Sequence, residues 1–106
     1  MQEETLHDIT PAEARRRIAA GALLIDVRER DEWDDGHVAE ARHLPLAELP
    51  ECMDTLPKEC EFIVLCHSGK RSARARALLA AQGYDRVYNL DGGMLAWVRD
   101  GLPVVS

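Results

Sequence analysis

The run Phe62-Ile63-Val64-Leu65 carries no polar side chain. Successive side chains of a β-strand point to opposite faces, so a run apolar at every position must be covered on both sides. "ALLIDV" (residues 22–27) has the same character up to Asp26. Both runs are too short for typical helices and are bounded by polar or glycine-containing segments. Strands buried on both faces belong to parallel sheets with helices packed above and below. The expectation is therefore an α/β domain with a mainly parallel central sheet and helices on both faces.

The rest of the chain supplies the helices and remaining strands. "TPAEARRRIAAG" reads as a helix with Thr10 as N-cap, Pro11 in the first turn, Glu13 completing a capping box and Gly21 as the stop. "RERDEWDDGH" is a polar loop with room for one helical turn, and "ARHLP" (residues 41–45) holds a short strand. "LAELPECMDTL" has mixed helical spacing, interrupted by Pro50 and closed by Pro57. An alanine-rich helix is expected over residues 72–82, with Ala73, Ala77 and Ala80 or Ala81 on its buried face, ending at Gly83. "RVYNL" reads as a third strand, and "GGMLAWVRDG" as a short helix after a glycine pair.

The chain of 106 residues fits one domain, residues 1–106, large enough for a core without disulfides. A net charge of -6 disfavours nucleic acid and anionic membranes as partners. One local basic patch departs from this balance: Lys70, Arg71, Arg74 and Arg76. The start "MQEETLHD" lacks the apolar stretch of a secretory signal, and no apolar run approaches a membrane span. The odd count of 3 cysteines, Cys52, Cys60 and Cys66, suits free thiols in a reducing compartment, so a cytoplasmic location is expected.

Cys66 ends one apolar strand just before the alanine-rich helix, where open parallel sheets place their ligands. The intervening loop, "CHSGKRS" (residues 66–72), contains what an activated thiol needs. The helix start offers unpaired backbone N–H groups, Gly69 lets successive N–H groups turn inward, and Lys70 and Arg71 add positive charge. These features should lower the thiol pKa and populate a nucleophilic thiolate. The plainer reading of a cysteine after an apolar run is core filling. The glycine, the two cations and the helix start favour the reactive thiol. Cys60 and Cys66 do not match common zinc spacings, and no CxxC pair is present.

Three stretches together are similar to the rhodanese family of sulfurtransferases: "LLIDVRERDEWDDGHVAEARHLP", "LCHSGKRS" and "NLDGGMLAW". The resemblance runs over nearly the whole chain. It implies that Cys66 is catalytic, taking a sulfane sulfur as a persulfide and passing it to a thiophilic acceptor. His67, Ser68, Gly69, Lys70, Arg71 and Ser72 would then cradle the substrate. The donor would be a small anion such as thiosulfate, a polysulfide or a protein persulfide, and the acceptor cyanide or a thiol. No metal or organic cofactor is implied.

Cell-cycle phosphatases share this fold and place five residues between cysteine and arginine. Here only His67, Ser68, Gly69 and Lys70 separate Cys66 from Arg71, a tighter nest that suits sulfur better than phosphate. Arsenate reduction is a lesser rival. Rhodanese-like domains also serve as sulfur-carrier, binding or regulatory modules, typically with the cysteine lost; Cys66 and its full loop put catalysis ahead.

Asp26 and Arg28 read as a structural pair at a strand end, and His37 as a loop-bonded histidine. His67 contributes its backbone N–H more than its ring. Glu32 departs from the family's two-domain thiosulfate enzymes, some of which place a basic residue near this point. Cys60 should lie at the far end of the strand from Cys66, which argues against a resolving disulfide. Trp33, Trp97 and Tyr84 read as core or rim packing.

Overall fold

The computed structural model describes residues 7–106, so the first six residues of the acidic start lie outside it. Five strands form one sheet: β1 (Asp8–Ile9), β2 (Leu23–Asp26), β3 (Arg42–His43), β4 (Phe62–Leu65) and β5 (Val87–Leu90). Their spatial order is β1-β5-β4-β2-β3, and every neighbouring pair is parallel. The α-helices are α1 (Pro11–Ala19), α2 (Arg30–Asp34), α3 (Leu49–Cys52), α4 (Lys70–Ala81) and α5 (Gly93–Arg99). The α/β expectation holds. Among the described residues, no helix is long and apolar enough to cross a membrane.

Strand alternation sorts the core into two layers. Ile25, Phe62, Val64, Cys66 and Val87 face one side and pack with Ala75 and Leu79 of α4. Leu24, Ile63, Leu65 and Leu90 face the other and pack with Ala14 of α1 and with Met94 and Trp97 of α5. Phe62, Ile63, Val64 and Leu65 are all 0% exposed, the double burial their composition demands. Each such side chain contributes about 1.5–3 kcal/mol relative to an exposed one. Cys66 continues the Phe62–Val64 face, which puts its sulfur under α4.

Several expectations need correction. The buried stripe of α4 is Ser72, Ala75 and Leu79, whereas Ala73, Ala77, Ala80 and Ala81 are exposed. Alanine favours helices on any face, so it is a poor guide to phase. The helix also starts at Lys70 rather than Ser72, because Gly69 (φ +105°) makes the turn into it. Thr10 does cap α1, its Oγ1 accepting from the Glu13 N–H at 3.2 Å. The Glu13 carboxylate, however, accepts from Arg16 and Arg17. A charge-assisted bond one turn away outcompetes the neutral backbone donor of the expected capping box. Strand β1 was not expected at all; it is a two-residue edge strand held beside β5.

The predicted packing residues behave as such. Trp97 is buried and donates from Nε1 to Pro103 O at 2.9 Å. The Tyr84 hydroxyl lies 2.6 Å from Met53 O and 2.8 Å from Leu56 O. Trp33 stacks between His37 and His43, at ring distances of 3.7 and 4.8 Å.

Candidate active site

The loop after β4 is a turn of backbone N–H groups around one sulfur. Cys66 is 1% exposed. Its Sγ accepts from the Gly69 N–H at 3.1 Å and lies 3.5 Å from the Ser72 hydroxyl. Burial pushes the thiol pKa up. The Ser72 hydroxyl and the backbone N–H groups of Ser72, Gly69 and Ser68 outweigh it, so the thiol ends below its ordinary value.

Ser72 is held from behind by Asn89. The single Ser72 hydroxyl proton is shared between Cys66 Sγ and the nearer Asn89 Oδ1, and Asn89 Nδ2 donates to Gly69 O and to Asp8 Oδ1, both at 3.3 Å. Asn89 therefore ties the helix start to the turn that supplies the Gly69 N–H. Sequence reasoning missed it. The available signal was a polar residue inside the apolar strand "RVYNL".

Gly93 was read only as part of a glycine pair, and the structure gives its physical role. The N-terminus of α5 abuts the loop, with Met94 N–H donating to Cys66 O at 2.8 Å and Leu95 N–H to His67 O at 3.1 Å. A Cβ on Gly93 would lie 2.3 Å from Cys66 O and 2.7 Å from His67 O, which no packing tolerates. Its φ of +56° adds strain for any other residue.

Arg71 feels the charge of Cys66 but makes its hydrogen bonds elsewhere. Arg71 forms a two-point fork with Glu32, Nη1–Oε1 and Nη2–Oε2 each at 2.8 Å. That pairing raises the arginine's pKa and drops the Glu32 carboxyl to about 2. Lys70 and Arg74 are exposed, and Arg76 donates to Val87 O at 3.1 Å. Two of the four patch residues, Arg71 and Arg76, are thus held by partners, and the other two face solvent. His67 and Ser68 are exposed, with His67 at the rim of the loop.

Asp26 and Arg28 form a buried pair beside the loop. Arg28 Nη2 donates to Asp26 Oδ2 and to Gly36 O, both at 2.8 Å, and Arg28 Nη1 donates to Glu32 O at 3.2 Å. The Arg28 side chain thus fastens both ends of the segment that carries α2. His37 donates from Nδ1 to Trp33 O at 3.0 Å, within its own loop. Cys52 and Cys60 are unpaired thiols, and Cys60 precedes β4 while Cys66 follows it. Extended chain puts about 20 Å between them.

Of the clefts that touch the loop, two border its central residues. One, of about 430 Å³, is walled by Ser68, Gly69, Lys70 and Asn89. The other, of about 280 Å³, touches His67 and Glu32 and has an apolar wall of Met94, Leu95, Val98 and Val104.

Comparison with known proteins agrees with this geometry. The rhodanese-like domain profile matches residues 10–100. A sulfurtransferase of Allochromatium vinosum is 44% identical over 84 residues, spanning 79% of this chain and 78% of its own. The thiosulfate sulfurtransferase GlpE of Stutzerimonas stutzeri is 36% identical, spanning 84% of this chain and 82% of its own. Among solved structures, a rhodanese-related protein from Thermoplasma volcanium superposes with a TM-score of 0.87 at 32% identity, covering 93% of this chain and 97% of that one. Profile, relatives and fold agree across nearly the whole described chain, and the protein belongs to the rhodanese-like domain family.

Proposed function

We propose that the protein is a sulfurtransferase that works through a persulfide on Cys66. The carrying observation is the cradle at Sγ, with the Gly69 N–H at 3.1 Å and the Ser72 hydroxyl at 3.5 Å. In the first step the Cys66 thiolate attacks the outer sulfur of a sulfane donor. With thiosulfate, the donor S–S bond breaks, sulfite leaves with the bonding pair, and Cys66 becomes an anionic persulfide. The inward-turned N–H groups of Ser68, Gly69 and Ser72 stabilise that added negative charge. In the second step cyanide or a thiolate attacks the terminal sulfur, and the Cys66 thiolate is regenerated. The chemistry requires no metal or organic cofactor.

The names of the relatives support this reaction class, and several are called thiosulfate sulfurtransferase GlpE at 35% to 36% identity. The phosphatase alternative is weakened at one specific point. Its arginine would have to grip phosphate, and Arg71 is already committed to Glu32. A sulfur-carrier role would use the same persulfide without rapid turnover.

The test is intact-mass measurement after exposure to thiosulfate, a polysulfide and an organic thiosulfonate, followed by cyanide. One added sulfur should appear and then vanish as thiocyanate forms. Cys66→Ser should show neither change, while Cys52→Ser and Cys60→Ser behave as the parent. Sulfur transfer retained by Cys66→Ser refutes the assignment.

A further inference from the structure

Cys66, Ser72 and Asn89 are 1%, 0% and 5% exposed, so their polar atoms must largely satisfy one another. Ser72 has one hydroxyl proton and two acceptors in front of it. Asn89 Oδ1 lies at 2.5 Å and Cys66 Sγ at 3.5 Å. The carboxamide cannot turn round to change this. Its Nδ2 faces Gly69 O and Asp8 Oδ1, and a carbonyl and an ionised carboxylate only accept. Oδ1 must therefore face Ser72, where it too can only accept. The sheet holds the group in place. Asn89 lies in β5 between Val64 of β4 and Asp8 of β1, and its backbone N–H donates to His7 O at 2.7 Å.

Which acceptor takes the proton then depends on the charge of the sulfur. An uncharged thiol can donate its own S–H to Ser72 Oγ while Ser72 donates to Asn89. A thiolate or persulfide anion needs donors instead. Ser72 can supply one by rotating about its Cβ–Oγ bond, and no proton changes owner. The charged acceptor outweighs the neutral one, but the sulfur gains only the difference between the two bonds. After burial, which opposes ionisation, the Ser72 hydroxyl is the largest influence on the thiol. The nearby charges are separate from this competition. Asp8, Asp91, Lys70 and Arg76 line the cleft beyond Asn89, and Arg71 feels the charge of Cys66. A neutral replacement of Asn89 leaves all five in place.

We propose that Asn89 is a positioning residue that holds the Ser72 proton off Cys66 while the sulfur is uncharged and releases it when a thiolate or persulfide forms. The proposal rests on the sulfurtransferase reading for its use in turnover, and it adds a residue that acts on the nucleophile through another. Both half-reactions feel the consequence. By opposing ionisation, Asn89 keeps the Cys66 thiolate more basic. A more basic thiolate attacks the donor sulfur faster and leaves the persulfide more slowly.

The experiment titrates thiolate absorbance in a Cys52→Ser/Cys60→Ser chain, in which Cys66 is the only thiol. Asn89→Leu is close in size and offers no acceptor. It should raise the Cys66 ionisation constant about threefold or more, because Ser72 is left with the sulfur as its partner. Asn89→Ala, which introduces no bulk, should move it the same way and covers the case in which the leucine does not fit. In a Ser72→Ala background either replacement should change the constant by less than about 1.5-fold, since the group through which Asn89 acts is gone. At a pH where the thiol is fully ionised, single-turnover sulfur uptake from thiosulfate by Asn89→Leu should slow about twofold, and release to cyanide should quicken about twofold. A scaffold role alone predicts the opposite sign: freeing Gly69 O would draw the Gly69 N–H off the sulfur and lower the constant, with or without Ser72. A lowered or unchanged constant in the chain that keeps Ser72, or equal changes in both backgrounds, overturns the proposal. If the titrations come out as expected but no donor leaves a sulfur on Cys66, the sulfurtransferase reading fails and the competition for the Ser72 proton stands.

Discussion

Two polar clusters lie side by side at the carboxyl end of the sheet, and they are finished differently. Asp26 closes β2 and sits in register with Leu65, the residue before Cys66. Around Asp26 the accounts balance: Arg28 forks onto the carboxylate, and its remaining donors go to Gly36 O and Glu32 O. Around Cys66 the donors are in excess. Backbone N–H groups and a hydroxyl converge on one soft acceptor, and no cation is pinned to it. A saturated ion pair fixes a chain path. A surplus of donors can hold negative charge that arrives later, as a persulfide or a leaving anion would bring.

The sharpest way to break the contrast is to remove the acceptor. Cys66→Ser should lower sulfur transfer by at least about a thousandfold, because a serine hydroxyl is hardly ionised in this cradle. Thermal stability should shift little, since only one atom changes. A continuous thiocyanate assay with a melting curve on the same sample separates the two effects.

Breaking the other cluster should do the reverse. Arg28→Ala leaves Asp26 buried without its cation and frees both ends of the α2 segment. The expected loss is about 3–5 kcal/mol of stability, read by urea unfolding. If the cost is below 1 kcal/mol, roughly the value of an exposed pair, the clusters do not differ as argued.

Gly93→Ala tests the contact that holds the loop from below. Its Cβ would meet Cys66 O at 2.3 Å, so the loop or α5 must move. A loss of about 1–3 kcal/mol is expected. Transfer rate should fall further than stability alone explains, because the moved carbonyl belongs to the proposed nucleophile.

Ser72→Ala removes one donor from the surplus and leaves the backbone donors. These bonds favour the thiolate over the thiol, so losing one must raise the Cys66 pKa. The rise of rate with pH should therefore move to higher pH, and the rate at neutral pH should fall about tenfold. Thiolate absorbance across a titration checks the direction. The smallest effect is expected from Lys70→Ala, whose exposed ammonium is screened by solvent. Its pH profile should superimpose on that of the parent, whereas a shift as large as that of Ser72→Ala would return the activation of Cys66 to the loop cations.

Much of the frame was legible because it is locally encoded. Apolar runs without alternation require double burial, and strand parity then fixes which face carries Cys66. Gly69 before a helix marks an inward turn of N–H groups wherever it occurs. Thr10 capped its helix because that bond spans three residues. The alanines of α4 misled because a small residue says little about phase. Asn89 was hidden because a polar residue in a strand has no meaning until its partners are known.

The sequence by itself determined the α/β layering, the position of Cys66 at a strand-to-helix turn and the glycines on which those turns depend. Only the tertiary structure decided where the charges went. Arg71 and Glu32 are 39 residues apart and meet because Arg28 pins the α2 segment beside the loop. Lys70, as close in sequence, meets no carboxylate among the described residues and is exposed. Turn and strand preferences act between adjacent residues and can be read along the chain. An ion pair forms between whichever groups packing brings within reach, so its partner is written only in three dimensions.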